Sequence, residues 1–253
     1  EIRLSLVGSE MCIRDRLLAA PCPKIVCPAM NTGMYENVVT QANLALLRKR
    51  GVEIMEPGCG ELACGTTGAG RLPEVPEIIA TLERFFALRE GAMRGVKVMV
   101  TAAGTREPID PVRFIGNRSS GKMGYAIAKE ALLRGAEVVL ITGPSALTPP
   151  PYARVINVET TQQMMDACMA EFPAVDVVIK AAAVADFKPR EVAGQKIKKI
   201  HPEDGMTVVL DQNPDILKTL GSVKKQQFLV GFAAETQNLL ENAAAKVKKK
   251  NLD

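Results

Sequence analysis

Tryptophan is absent from this 253-residue chain, tyrosine and phenylalanine number three and seven, and histidine occurs once, at His201. With aromatics at 4% and a net charge of only +4, the chain lacks the interleaved basic and aromatic residues that track and stack nucleic acid. No nucleic-acid partner is expected. No apolar run approaches the ~18 residues that span a bilayer, so no membrane partner is expected either. A zinc site is short of ligands: Cys59 and Cys64 stand at C-x4-C spacing, but the lone histidine lies far along the chain. Six cysteines at irregular intervals, with no secretory signal, read as reduced thiols of the cytoplasm.

What the chain does have is aliphatic. Hydrophobic residues make up 47%, which with so few aromatics describes an α/β core. The length suits two domains, or one and a half. The stretch that organises the rest is DVVIKAAAVADFKPREVAGQKIKK, from Asp176 to Lys199. Val177, Val178 and Ile179 form the β-branched run that fills a strand buried on both faces of a parallel sheet. The small residues Ala181 to Ala185 let a ligand approach the backbone. Asp186 follows at the strand's carboxyl end, where open α/β sheets bind ligands. Lys196, Lys198 and Lys199 come next, on a loop carrying Pro189 and Gly194. A carboxylate facing a lysine-rich loop suits a polyphosphate and its metal ion. A buried strand followed by a solvated basic loop accounts for the same residues.

Residues 17–89 read as one unit. Lys24 to Cys27 is a short buried strand that delivers Pro28-Ala29-Met30-Asn31-Thr32-Gly33-Met34 at its carboxyl end. Val38 to Arg50 has helical periodicity and stops at Gly51, a natural residue beyond a helix end. Val52 to Met55 is the next strand. The sequence PGCGELACGTTGAGRL, Pro57 to Leu72, holds five glycines and reads as a flexible loop able to fold over a ligand or offer it backbone N–H groups. A partly exposed thiol on such a loop suits acid or base work. Pro76 to Arg89 is an amphipathic helix.

PAMNTGM, followed by the cysteine of GELACGTTGAGRL, resembles the flavin-dependent decarboxylase half of the bifunctional phosphopantothenoylcysteine decarboxylase/phosphopantothenate–cysteine ligase family of coenzyme A synthesis. The resemblance implies FMN as cofactor. It implies Asn31 as the holder of the substrate carboxylate and Cys64 as the proton donor to the enethiol product. The family's decarboxylase half also carries a catalytic histidine and the first flavin-binding strands ahead of PAMN, which this sequence lacks, so the chain as written is expected not to decarboxylate.

Glu90 to Gly95 is a linker with two glycines. Beyond it, residues 96–253 read as a second unit. Its strands are Val96–Thr101, Glu137–Thr142, Val175–Ile179 and Phe228–Phe232. Its helices are Gly121–Arg134, Asp215–Leu220 and Thr236–Lys250, giving a doubly wound, mostly parallel sheet. Gly116-Asn117-Arg118-Ser119-Ser120-Gly121-Lys122-Met123 nearly matches a P-loop, but methionine stands where the Mg2+-ligating hydroxyl belongs, and the loop lies well beyond the first strand. Tyr125 and Lys129 match the Y-x-x-x-K of short-chain dehydrogenases, though a helix face explains them.

Five pieces in order, VKVMVTAAGTREPIDPVRFIGNRSSGKMG, AAAVADF, KIKK, NPDIL and GFAAET, resemble the ligase half of the same family. That family joins 4′-phosphopantothenate to cysteine through an acyl-cytidylate made from CTP, with Mg2+. The resemblance implies that Asp186 contacts the nucleotide or its metal, with Ala181 and Ala182 also at the nucleotide, and that Lys196 contacts the phosphates. Asn213, Pro214, Asp215, Ile216 and Phe232 would line the cytidine site, and Lys246 and Lys250, four apart on one helix, would close on it. Arg113 and Asn117 would bind the acyl substrate, Asn117 and Lys196 having catalytic parts, with Ala182 and Ala183 as the adjacent wall. Without the resemblance, Lys246 and Lys250 read as a solvated helix end where cations suit the dipole.

The expected fold is thus two Rossmann-like, flavodoxin-like three-layer α/β units, the first incomplete, each with a mostly parallel sheet. Ser5 to Arg16 resembles the translation of a sequencing-library adapter, so residues 1–16 are expected to be non-native read-through. The chain is expected to be an internal fragment, and the family implies a homo-oligomer at full length. Two other readings stay open: a Rossmann-fold NAD(P)-dependent reductase, which predicts an acidic residue ending the second strand where Thr-Gly-Pro stands, and a non-catalytic binding module.

Overall fold

A computed structural model describes residues 15–198, 205–232 and 239–253. Most of the suspected read-through segment, Lys199, His201 and the Ala233–Thr236 part of GFAAET lie outside the described residues. The chain divides within one helix into two compact units, Glu1–Thr81 and Leu82–Asp253.

In the first unit, β1 (Ile25–Val26) pairs in parallel with β2 (Glu53–Ile54). Between them run α1 (Thr32–Tyr35) and α2 (Val38–Lys49). Asn37 caps α2, accepting from the Val39 N–H at 2.9 Å, and the helix ends before Gly51, whose φ of 83° suits glycine. The glycine-rich stretch is more ordered than a flexible loop: it forms an antiparallel hairpin of β3 (Gly58–Glu61) and β4 (Thr67–Arg71). The glycines serve close packing. At Gly70, φ 132°, a Cβ would lie 2.1 Å from the Met30 carbonyl oxygen, and at Gly68 a Cβ would lie 2.6 Å from the Thr32 hydroxyl. The Met30 N–H donates to the Gly70 carbonyl at 2.9 Å, which locks the hairpin onto the PAMN segment. The unit therefore carries one parallel pair with an antiparallel hairpin beside it. Next comes α3 (Val75–Glu90), with Pro76 in its first turn, where its missing N–H costs nothing.

The second unit is built on a five-stranded parallel sheet, in the order β13 (Phe228–Gly231), β10 (Val177–Lys180), β5 (Lys97–Ala102), β8 (Glu137–Thr142), β9 (Arg154–Asn157). The chain starts in the middle at β5, runs outward through β8 and β9, then crosses over to β10 and β13. The order therefore reverses between β5 and β10, and the carboxyl ends of those two strands border the crevice where such sheets take ligands. Alternation along β5 separates two cores. Val98, Val100 and Ala102 pack with α4 (Lys122–Leu133), and Met99 packs with α5 (Thr161–Glu171) and α6 (Ile216–Val223). Helix α4 lies unusually near the strand because of Gly124, where a Cβ would sit 2.5 Å from that of Ala102. The capping box of Thr160 and Gln163 starts α5, Asp215 caps α6, and α7 (Leu239–Lys250) completes the order.

Most expected and observed elements agree within a residue or two, with Glu137–Thr142 matched residue for residue, while α6 runs on to Val223 past the expected end at Leu220 and the start of the expected Thr236–Lys250 helix lies outside the described residues. Strand β10 is buried on both faces only at Val178; Val177 and Ile179 are half-buried. Several pieces have no counterpart in the sequence reading: the short α1, the helix α5, β9, the hairpin of β6 (Arg106–Pro108) and β7 (Phe114–Gly116), and the antiparallel pair of β11 (Phe187–Pro189) and β12 (Leu210–Gln212). The near P-loop runs from the end of β7 at Gly116 to the start of α4 at Lys122, but β7 belongs to the antiparallel β6–β7 hairpin, so the loop does not follow a strand of the parallel sheet into a helix as phosphate cradles do. Tyr125 is a helix-face residue, buried, with its hydroxyl 3.2 Å from that of Thr142.

Candidate functional site

In the first unit, the tight turn after β1 places Asn31 as the cap of α1, its Oδ1 accepting from the Gly33 N–H at 2.8 Å. That leaves the amide nitrogen free to point elsewhere, and it donates to the Cys64 thiol at 3.1 Å. Cys64 sits on the turn of the β3–β4 hairpin, also 3.2 Å from the Thr66 hydroxyl. The two residues that the sequence separates by 33 positions are thus brought together. Hydrogen bonds from the Thr66 hydroxyl and backbone, then from Asn31, favour the thiolate and bring the Cys64 pKa down to about 7. A cavity of about 460 Å³ opens beside them, lined by Ala29, Met30, Leu62, Gly70 and Leu72 among others. The buried Thr32 hydroxyl, which a Cβ at Gly68 would approach to 2.6 Å, has no partner among the described residues. Cys59 is exposed on β3. Cys168 is the opposite of Cys64: buried in the second unit's core, its thiol is pushed up to about 12.

In the second unit, the segment after β10 is pinned to the end of β5. The N–H groups of Ala181 and Ala183 donate to the carbonyls of Thr101 and Ala103 at 3.1 and 2.8 Å, and Ala182 N–H donates to the Thr101 hydroxyl at 3.2 Å. Asn117, just past β7, joins this wall through its amide, which donates to the Val184 carbonyl at 2.9 Å. Asp186 follows with an exposed carboxylate, and its carbonyl accepts from the Asn213 N–H at 2.8 Å, linking the two strand-end loops. Asn213 is buried. Ile216 packs in the hydrophobic core, so any contact it makes with a ligand falls to its backbone. Phe232 stands half exposed just past β13.

Lys250 does not reach out as a solvated helix end does. Its ammonium lies 2.8 Å from the Asp215 carboxylate. Burial works against ionisation of Asp215, but the Lys250 hydrogen bond, the Lys218 N–H and the charges of Lys250 and Lys180 outweigh it and lower its pKa. Lys246 is half-buried on the same helix. Arg113 and Lys196 are brought to one place by a buried carboxylate, Asp110. That residue accepts from the Val112, Arg113 and Ile197 N–H groups at 2.8, 2.9 and 3.2 Å and pairs with the Arg113 guanidinium at 3.2 Å, while Arg113 also donates to the Ile197 carbonyl. Lys196 itself is exposed and makes no hydrogen bond or ion pair with a described residue.

The chain's relatives can now be set against this geometry. Residues 93–253 match the family of the DNA/pantothenate metabolism flavoprotein C-terminal domain, and residues 11–87 match the flavoprotein family. The chain belongs to the DNA/pantothenate metabolism flavoprotein family. It is 45% identical to the coenzyme A biosynthesis bifunctional protein CoaBC of Vibrio vulnificus, over 98% of this chain and 61% of that protein. It is 47% identical to the CoaBC of Bacillus subtilis, over 94% of this chain and 58% of that protein. The crystal structure of the C-terminal domain of a CoaBC protein superposes with a TM-score of 0.58 at 47% identity, covering 64% of this chain and 76% of that one. The chain spans about three-fifths of the length of the curated relatives it matches.

Among the residues of this flavoprotein-family chain that escaped the sequence reading is Lys180. It ends β10, half-buried; burial lowers its pKa, against the pull of Asp215 and with the push of Lys250. The signal was available, since a lysine closing a Val-Val-Ile run at a strand's carboxyl end has no core role. Among the described residues no helix is long and apolar enough to cross a membrane. The thiol geometry carries its own prediction. Alkylation of Cys64 by iodoacetamide, followed by mass spectrometry, will rise with pH through a midpoint near 7, because only the thiolate attacks and a lowered pKa gives thiolate at lower pH. Thr66→Val will move that midpoint upward, and Cys168 will stay unmodified in the folded chain.

Proposed function

We propose that this chain works in coenzyme A biosynthesis through two sites: CTP-dependent ligation of 4′-phosphopantothenate with cysteine in residues 96–253, and the protonation end of phosphopantothenoylcysteine decarboxylation in residues 17–89, with 90–95 as the linker. The observation that carries this reading is the Asn31–Cys64 pair at 3.1 Å, standing in one unit while the strand-end loops of Asp186 and Asn213 are tied together in the other.

In the ligase, the carboxylate of 4′-phosphopantothenate attacks the α-phosphorus of CTP and pyrophosphate leaves. The amine of cysteine then attacks the acyl carbon and CMP leaves. Lys196, Lys246 and Lys250 neutralise the triphosphate as charge builds on the leaving pyrophosphate. The exposed Asp186 carboxylate fits an oxygen ligand for Mg2+ shared with phosphate oxygens. Asn213 to Ile216, Phe232, Ala181 and Ala182 surround the nucleoside. Arg113, clamped by Asp110, and Asn117, held against the Ala183–Val184 wall, orient the acyl group. In the decarboxylase, FMN, when bound, would take an electron pair from the substrate's thiol side and return it to the enethiol once CO2 has left. Asn31 holds the substrate carboxylate. Cys64, with a pKa about 7, gives its proton to the product carbon and takes one back from water. The cavity beside Cys64, lined by Asn31, Glu61 and Arg71 among others, fits a polar substrate arm.

Isothermal titration with CTP and with NADPH tests the ligase reading. CTP binding in the micromolar range or tighter, without NADPH binding, is expected. NADPH binding alone would replace this reading with a reductase, although β8 ends in Thr142, whose hydroxyl donates to the Gly143 carbonyl at 2.9 Å, and not in the acidic residue a dinucleotide ribose requires.

A further inference from the structure

A buried polar cluster that the proposed mechanism does not use lies beneath the loop of Asp186. Glu107, Thr105, Thr161 and Asn213 are 3, 1, 0 and 7% exposed. They come from β6, the loop between β5 and β6, the start of α5 and the loop before α6. The Thr161 hydroxyl donates to the Glu107 carboxylate at 2.6 Å, and the Thr161 N–H donates to the same oxygen at 2.8 Å. A hydroxyl has one proton, and the Ala185 carbonyl at 3.4 Å is too far to compete for it. The Thr161 oxygen is therefore an acceptor towards everything else. The Thr105 hydroxyl, 3.0 Å away, must donate to it, and Thr105 in turn accepts from the Ala185 N–H at 2.9 Å.

This polarity decides the orientation of Asn213. Its amide nitrogen donates to the Ala185 carbonyl at 2.9 Å and to the Thr161 hydroxyl oxygen at 3.2 Å. Turned over, the amide would set its oxygen against two acceptors. The price of the observed orientation is that the buried Oδ1 of Asn213 has no partner among the described residues. A buried acceptor left unpaired costs about 1–3 kcal/mol and calls for a donor that arrives later.

We propose that Glu107, acting through Thr161, is a positioning residue that holds the Asn213 amide in one orientation and keeps Oδ1 as an acceptor for an N–H donor of the bound ligand, such as the exocyclic amine of a nucleobase. The ligand half of this inference rests on the CTP reading above; the positioning half does not.

Cytidine and uridine triphosphates differ by an amine against a carbonyl at one ring position, so they are the probes. Their dissociation constants are measured by isothermal titration on the purified chain, its Glu107→Gln, Thr161→Val and Thr161→Ser variants, with thermal melts beside them. The Asn213 side-chain amide is followed by NMR on asparagine-labelled protein. Wild type is expected to prefer CTP over UTP by about tenfold or more, the size of one unpaired buried group. Thr161→Val and Glu107→Gln should reduce that preference several-fold by weakening CTP and sparing UTP, whereas Thr161→Ser, which keeps the hydroxyl, should retain it. Loss of packing alone would weaken both nucleotides equally, and that result overturns the inference. The Asn213 amide protons should be slow to exchange in wild type and fast in Thr161→Val; unchanged exchange overturns the positioning role whatever binds. If wild type binds neither nucleotide, the CTP reading and the ligand half fail together, while the exchange data still decide the positioning half.

Discussion

Cys64→Ser will stop proton delivery in a full-length enzyme carrying this segment, lowering decarboxylation by roughly 10²–10⁴-fold, the usual contribution of a positioned general acid. The geometry makes the expectation asymmetric. Cys64 has two hydrogen-bond partners, Asn31 and Thr66, and its pKa about 7 allows it to be both charged and neutral at physiological pH. Serine fits the same space, but an alkanol gives up its proton far less readily, so the oxidised intermediate should accumulate on reduced flavin, visible by absorbance. Cys59 lies on β3, exposed and without those partners, so Cys59→Ser should cost little, as most surface changes do within about 0.5 kcal/mol. Asn31→Ala should act at two points: it removes a donor to the thiolate, raising the pKa of Cys64, and it removes the cap of α1. Equal loss at Cys59 and Cys64, or none at either, would mean that the hairpin's thiols are structural.

Much of this arrangement was legible in the sequence, for physical reasons that differ by element. The central parallel strands announced themselves because burial on both faces demands continuous apolar runs rich in β-branched residues, as in Val98–Val100 and Glu137–Thr142, whereas the edge strand β9, with no buried residue, did not. Helix ends were legible at Gly51 and Gly135, whose φ values of 83° and 92° explain why glycine stands there. The short antiparallel pairs were not. Arg106–Pro108, Phe187–Pro189 and Leu210–Gln212 are three residues each, too short to show an alternating pattern, and two of them contain proline. Glycines misled in the stretch from Pro57 to Leu72: they looked like flexibility, but at Gly68 and Gly70 they are what lets a hairpin touch Thr32 and Met30. In the site, Asn31 and Cys64 were readable as a pair only by resemblance, since nothing local ties residues so far apart. Glu107 and Thr161 were invisible, because a buried carboxylate is recognised by what surrounds it.

Lys196→Gln will leave the fold intact and remove most of the ligase chemistry. The structure bears on the first half. Lys196 is exposed and bonds to no described residue, so its loss should cost under roughly 0.5 kcal/mol of stability. Its neighbour does the holding: Ile197 is fastened through its N–H to Asp110 and through its carbonyl to Arg113. The lysine is thus carried on a clamped base, beside the arginine proposed for the acyl substrate, with its own ammonium unspent. If that ammonium meets the triphosphate as the pyrophosphate departs, removing it takes away a cation already in place, which typically costs on the order of 10²–10³ in rate, or about 3–4 kcal/mol of barrier. The two effects differ by several kcal/mol, so one pair of measurements separates them: pyrophosphate release from CTP and 4′-phosphopantothenate, and a thermal melt. An unchanged melt with release nearly abolished is the expected result. Near-normal release would make the loop a solvated basic stretch and would pass the phosphate role to the lysines of α7. Asp110→Asn sharpens the comparison, because it weakens the clamp while leaving Lys196 in the sequence. If placement matters as much as charge, this variant should raise the KM for CTP more than it lowers kcat.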